Sequence, residues 1–285
     1  CAEYHSGPRP GCDHRAPQTT NGNQGILTVI SPAKTLDFDT APTTRRATQP
    51  EFIEQASALV DDARALSPED IAGLMGVSDN IAQLNHSRFM NFATPFSLDN
   101  AKQALLAFKG DVYTGLDAET LDSAQLRFAQ KHLRILSGLY GMLRPLDLMQ
   151  PYRLEMGLKF ANRGGSNLYQ FWGDRITDSL NRDIRKSGSR VLLNLASNEY
   201  FKSVQARALE ADIITPVFKD LRGGKYKMIS FFAKKARGQM ARFVIEKSLN
   251  EPAGLKRFRT DGYRYNKAES TAREWVFTRD QAPES

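Results

Sequence analysis

The run Lys227-Met-Ile-Ser-Phe-Phe-Ala-Lys-Lys-Ala-Arg-Gly-Gln-Met-Ala-Arg-Phe-Val-Ile-Glu-Lys247 opens with strand-like composition and closes with helical periodicity. In its second half Met240, Phe243 and Val244 share one helical face, while Lys235, Gly238 and Arg242 share the opposite one. A buried strand feeding a helix with a cationic outer face is an α/β signature. A glycine on that face lets a partner approach, so the stretch reads as an anion platform. The plainer reading is a surface helix with solvated Lys and Arg.

Charge favours the platform. The chain of 285 residues carries a formal net charge of +7, and the segment from Lys219 to Lys247 holds nine Lys/Arg against two Asp/Glu, a local balance equal to that of the whole chain. Charge this uneven points to a polyanionic partner or a phosphate-bearing small molecule. Hydrophobic content of 41% and charged content of 25% are those of a globular protein. No apolar run approaches the roughly 20 residues of a membrane span. Both cysteines, Cys1 and Cys12, lie in the Pro/Gly/Thr/Asn-rich first 25 residues, which read as a disordered leader without a secretory h-region. The body therefore has no disulfide scaffold, cysteine metal site or catalytic thiol. Its histidines are His86 and His132, with no Glu-x-x-His pair, so neither a metal site nor a cofactor is expected.

Other strands flank the opening stretch. Ile26-Leu-Thr-Val-Ile30 and Arg190-Val-Leu-Leu-Asn-Leu-Ala-Ser197 read as buried strands, each ending in polar residues. Ser31-Pro-Ala-Lys34 presents Lys34 to a ligand or is a simple turn. Asn194, Ser197, Asn198 and Glu199 sit where α/β sheets place ligands, or cap the helix that follows. Leu221-Arg-Gly-Gly-Lys225 signals a hairpin between strands at 212–220 and 225–232. Further strands are expected from 134 up to a break at Gly138, and at 149–157, 263–267 and 274–278. Helices are expected at 50–66, 98–108, 122–133 and 168–184. Arg153 with Glu155 reads as a buried ion pair.

Ser67-Pro-Glu-Asp opens a capped helix, and Gly76-Val-Ser78 separates it from a second helix starting at Asp79. The spacing resembles a helix-hairpin-helix, whose backbone N–H groups grip a DNA phosphate without reading sequence. Ser78 replaces the usual second glycine, and the element is locally acidic. An ordinary αα-hairpin has the same spacing.

The runs Ile30-Ser-Pro-Ala-Lys-Thr-Leu36, Ala107-Phe-Lys-Gly-Asp-Val-Tyr-Thr-Gly-Leu116, Leu143-Arg-Pro-Leu-Asp-Leu-Met-Gln-Pro-Tyr-Arg-Leu-Glu-Met-Gly157, Tyr169-Gln-Phe-Trp-Gly-Asp174 and Ile229-Ser-Phe-Phe-Ala-Lys-Lys-Ala-Arg-Gly238 resemble the YaaA peroxide-stress protein family. The resemblance spans Ile26 to Arg279. It implies an α/β (mixed α+β) fold particular to the family. That fold is a single domain over 26–280, with a mixed sheet, surrounding helices, a helix-hairpin-helix element at about 68–86 and a basic cleft; 281–285 is a tail. It also implies a cytoplasmic protein that limits iron-driven oxidative damage and binds duplex or distorted DNA, with a monomer expected. The candidate DNA-binding residues are Lys34, Gly76, Val77, Ser78, Lys109, Arg144, Arg153, Lys202, Lys234, Lys235, Arg237 and Arg242. The alternative is an enzyme acting on a nucleic acid or phosphorylated metabolite in the same cleft. If that holds, several of Asp111, Tyr113, Glu155, Asp174, Asn194, Ser197 and Glu199 should converge. No catalytic residue comes with the resemblance.

Overall fold

The structure is a computed structural model describing residues 25–281. The expected leader and tail lie outside the described residues, apart from Gly25 and Gln281. The fold is mixed α/β. One large sheet has the order Arg264–Tyr265, Glu274–Arg279, Asp212–Arg222, Val191–Leu195, Ile26–Ile30, Leu133–Ser137, Gly141–Leu143. The five inner strands are parallel. The two outermost strands pair antiparallel with their neighbours, and Lys225–Lys227 folds back antiparallel on Asp212–Arg222.

Burial follows position in this order. Every residue of the 26–30, 133–137 and 191–195 strands is buried, as parallel strands covered on both faces must be. The 212–222 strand alternates buried with partly exposed residues, so one of its faces looks toward solvent. The Ser230–Glu246 helix packs on the 26–30, 191–195 and 212–222 strands, and Ser123–His132 packs on 26–30 and 133–137. No helix among the described residues is long and apolar enough to cross a membrane.

Four expected elements differ. The 98–108 helix is replaced by a strand at Lys102–Gln103, one helical turn at Ala104–Ala107 and a strand at Phe108–Lys109. Pairing with Leu148–Met149 and Thr35–Leu36 overrides the helical composition. The buried Lys102 ammonium donates to the carbonyls of Asp37 and Thr40, and the Gln103 amide donates to those of Thr44 and Arg46. The 149–157 strand is only Leu148–Met149; beyond it the chain runs irregularly, because Pro151 has no N–H to offer a ladder. The 168–184 helix is broken at Gly173 (φ 49°) into Leu168–Trp172 and Arg175–Ser187. The 225–232 strand stops at Lys227, and Ile229-Ser-Phe-Phe starts the helix instead. The Gly-Gly turn forms as expected, with positive φ at Gly223 (57°) and Gly224 (73°).

Candidate functional site

The chain leaves the 26–30 strand toward its neighbour 133–137 and leaves 191–195 in the opposite direction, toward 212–222. Adjacent strands whose connections diverge open a crevice at their C-terminal ends, the usual ligand position in an open α/β sheet. Ser31 and Ser197 meet there. The Ser197 N–H donates to Ser31 Oγ at 2.8 Å, and Ser31 Oγ donates to Ser197 Oγ at 3.3 Å. Below them Asn194 receives the Ala196 N–H at 3.1 Å and donates to Thr215 Oγ1 at 3.3 Å.

The irregular 150–157 segment crosses this end of the sheet. It is tied down by Gln150 N–H to Tyr140 Oη (3.0 Å) and by the Tyr152–Ser137 hydroxyl pair (2.6 Å). A Cβ on Gly138 would lie 3.0 Å from the Leu154 carbonyl carbon, so only glycine permits the crossing. The segment delivers Glu155, whose Oε1 receives both Lys34 Nζ and Arg153 Nε at 3.0 Å. Its Oε2 is buried and makes no hydrogen bond. Glu199 holds the next turn, accepting the Gly157 N–H at 3.0 Å. Tyr113, on the Asp111–Leu116 helix, donates to the Ser31 carbonyl at 3.1 Å. Burial pushes the hydroxyls of Tyr113, Tyr152 and Tyr200 up; the first and last also feel Tyr152, and Tyr152 feels the Glu155 carboxylate. All three therefore stay neutral donors at any physiological pH.

Tyr113, Glu155, Ser197 and Glu199 thus gather at one end of the sheet, with Asn194 beneath them. Asp174 lies elsewhere and meets the Gln205 amide, while Asp111 opens the 111–116 helix. Sequence reasoning missed Ser31 as part of this group. Its place at the end of the first buried strand was the available signal.

The cationic candidates divide by partner. Arg144 is bound to Asp147 at 2.9 Å and to the Gln49 carbonyl at 2.9 Å. Lys109 pairs with Glu119 and Asp37, Lys235 with Asp261 at 3.3 Å, and the Lys202 ammonium sits 5.0 Å over the Tyr169 ring. Arg242 pairs with Glu246 (2.7 Å) and donates to the carbonyls of Leu116 and Asp117, closing the end of the 111–116 helix. Gly238 serves the same helix crossing rather than a ligand. Its buried backbone lies against Val112, and Gly115 lies against Lys235.

Lys234 and Arg237 have no ion pair or hydrogen bond among the described residues, and burial alone pulls the Arg237 guanidinium down. Shortly before Lys234 in the chain comes a different surface group. Arg222, Lys225 and Lys227 are exposed on the hairpin, and none has an anionic partner among the described residues. Met228 and Phe231, 60% and 56% exposed, stand between them. Phe231 is braced edge-on against Phe232, over which Arg279 lies at 4.6 Å.

At the proposed hairpin, Pro68–Met75 is capped by a reciprocal Ser67–Asp70 box and ends in left-handed Gly76; Asp79–Asn91 follows Ser78. The Gly76 and Val77 N–H groups both donate to the Ala72 carbonyl. Among the described residues no three His, Cys, Asp or Glu side chains are grouped to hold a metal ion.

The family described as "Peroxide stress protein YaaA" matches residues 26–269. The chain belongs to this family. Relatives described as UPF0246 proteins match 90% of the chain. The one from Cellvibrio japonicus is 57% identical over 256 residues, covering 90% of this chain and 99% of the relative. The one from Hahella chejuensis is 55% identical over 255 residues, covering 90% and 100%. One from Aliivibrio fischeri is 57% identical over 256 residues. The family description carries a peroxide-stress role.

Proposed function

We propose that the protein serves the peroxide response in the cytoplasm by binding duplex DNA without strong sequence specificity and limiting iron-driven damage to it. The observation that supports this best is the surface at 222–234. There Arg222, Lys225, Lys227 and Lys234 are exposed without anionic partners, beside the N-terminus of the 230–246 helix. Uncompensated cations and a helix N-terminus suit a phosphate backbone and read no base. Met228 and Phe231 add apolar surface of the kind that stacks on bases or wedges between them. The Gly76-Val77-Ser78 turn is at most a second grip.

The test is binding of a fluorescein-labelled duplex followed by anisotropy across a salt series. Each phosphate contact contributes about 0.9 to the slope of log K against log salt. The variant carrying Lys225→Ala, Lys227→Ala and Lys234→Ala is expected to lower that slope by nearly three. A flat wild-type response, or an unchanged slope in the variant, rules the reading out.

An enzymatic role is the second reading. It is favoured by the convergence of Tyr113, Glu155, Ser197 and Glu199 at the strand ends.

A further inference from the structure

We propose that the crevice between the 26–30 and 191–195 strands binds a phosphorylated small ligand, with Lys34 and Arg153 on its phosphate and Glu155 Oε2 accepting from a hydroxyl or amino group beside it. This deepens the enzymatic reading by naming its ligand. It uses none of the residues on which the DNA-binding surface rests.

Three observations converge. First, Glu155 is 12% exposed and only half satisfied: Oε1 has two cationic donors and Oε2 has none. A buried carboxylate oxygen without a donor costs free energy, and native structures rarely keep one unless something fills the vacancy. Second, the two cations on Oε1 have donors to spare. Arg153 engages through Nε alone, so the four N–H bonds of its terminal nitrogens are open. Lys34 is 66% exposed and makes one contact. A guanidinium fork beside an ammonium suits the paired oxygens of a phosphate. Third, Lys34 and the 150–157 segment stand at the end of the sheet where the strand connections diverge and Ser31 meets Ser197. Free donors beside one free acceptor call for a ligand with an anion and a donor close together. A phosphoester with a neighbouring hydroxyl or amine has that chemistry. A free nucleotide is such a ligand.

Calorimetric titration of the full chain tests the assignment with adenosine 5′-monophosphate, inorganic phosphate and a duplex oligonucleotide as probes. Wild type should bind the nucleotide more tightly than phosphate. Glu155→Gln places an amide donor or a neutral oxygen where the carboxylate was. It should cut the nucleotide-over-phosphate preference about tenfold, the scale of one hydrogen bond to a charged group. Lys34→Ala, at an exposed position, should weaken nucleotide and phosphate alike. Thermal unfolding of each variant checks that the fold is kept. If the free probes give no heat but both variants weaken duplex binding, these residues serve DNA and the small-ligand assignment is overturned. If the free probes bind equally well to wild type and both variants, or if no probe binding depends on either residue, the assignment is overturned. Duplex binding that depends on Lys225, Lys227 and Lys234 but not on Glu155 would leave the DNA surface intact and remove this site alone.

Discussion

Replacing Gly238 by alanine asks whether that glycine admits a ligand or admits another helix. The 230–246 and 111–116 helices cross backbone to backbone. An alanine Cβ at 238 would lie 2.7 Å from the Val112 carbonyl carbon and 2.9 Å from the Leu116 nitrogen, and closer still to the Val112 oxygen, where ordinary contact begins near 3.4 Å. These are main-chain atoms, so no rotamer change relieves the overlap. One helix must move by about an ångström or more, and the reciprocal contact is as close, since a Cβ at 115 would lie 3.0 Å from the Lys235 carbonyl carbon. Overpacking of this kind costs about 1–3 kcal/mol, and a backbone clash belongs at the upper end. Alanine gains up to ~1 kcal/mol over glycine in a helix interior. The expected net loss is thus about 2 kcal/mol. Gly73, in the middle of the 68–75 helix with nothing within 4 Å of its Cβ position, is the control. Gly73→Ala should gain roughly the ~1 kcal/mol that Gly238→Ala gives up to its clash. Equilibrium urea unfolding reads both as shifts of the midpoint at constant slope. If Gly238→Ala leaves the midpoint unchanged or raises it while Gly73→Ala behaves as expected, the close crossing is not what requires glycine.

Two further outcomes follow from buried charge. Asp220 and Arg279 form an ion pair with side chains 4% and 3% exposed; Tyr263 donates to the carboxylate at 3.1 Å. Asp220→Ala strands the guanidinium and should cost about 3–5 kcal/mol in the same urea assay, whereas a loss under about 1 kcal/mol would show that the pair is not sealed from water. His132 stacks on Phe128 with ring centroids 4.3 Å apart, and burial is the main cause that pulls its imidazole down, partly offset by the nearby Ile26 backbone. A histidine depressed in the fold is protonated first in the unfolded chain. Its stabilising contribution is therefore present above the unfolded value near 6.5 and is lost as pH falls below it. The urea midpoint of wild type should fall between about pH 6.5 and 5 more steeply than that of His132→Gln; parallel curves would show that the imidazole does not drive the change.

Much of the architecture was legible in local pattern. Ile26–Ile30 and Val191–Leu195 announced themselves as buried strands because parallel strands covered on both faces are apolar throughout. Gly223-Gly224 announced a hairpin because both positions need positive φ. Ser67 followed by Pro68, Glu69 and Asp70 announced a helix start as an N-cap with an acidic first turn. Two of the four misread elements depend on distant partners. At 102–109 and 150–157 the chain's conformation is set by partners far away in sequence: the Lys102 ammonium bridges two carbonyls of the 37–40 loop, and the 138–140 turn leaves room for 154 only because residue 138 is glycine. No window of neighbouring residues contains that information. The candidate site divided in the same way. Glu155, Ser197 and Tyr113 could be picked out one by one as polar groups in apolar surroundings. That they meet over Ser31 depends on strand order.

The sequence alone determined the kind of molecule: a basic α/β protein of the YaaA family, with its excess charge between residues 219 and 247, since composition and motif order survive without coordinates. Only the tertiary structure decided which of those charges are available. Ion pairing and helix closure consume Arg144, Lys109, Lys235 and Arg242, while Arg222, Lys225, Lys227 and Lys234 keep theirs facing solvent. A cation's availability depends on what stands within a few ångströms of it. In a mixed sheet ordered 264, 274, 212, 191, 26, 133, 141 by first residue, those neighbours are seldom neighbours in the chain.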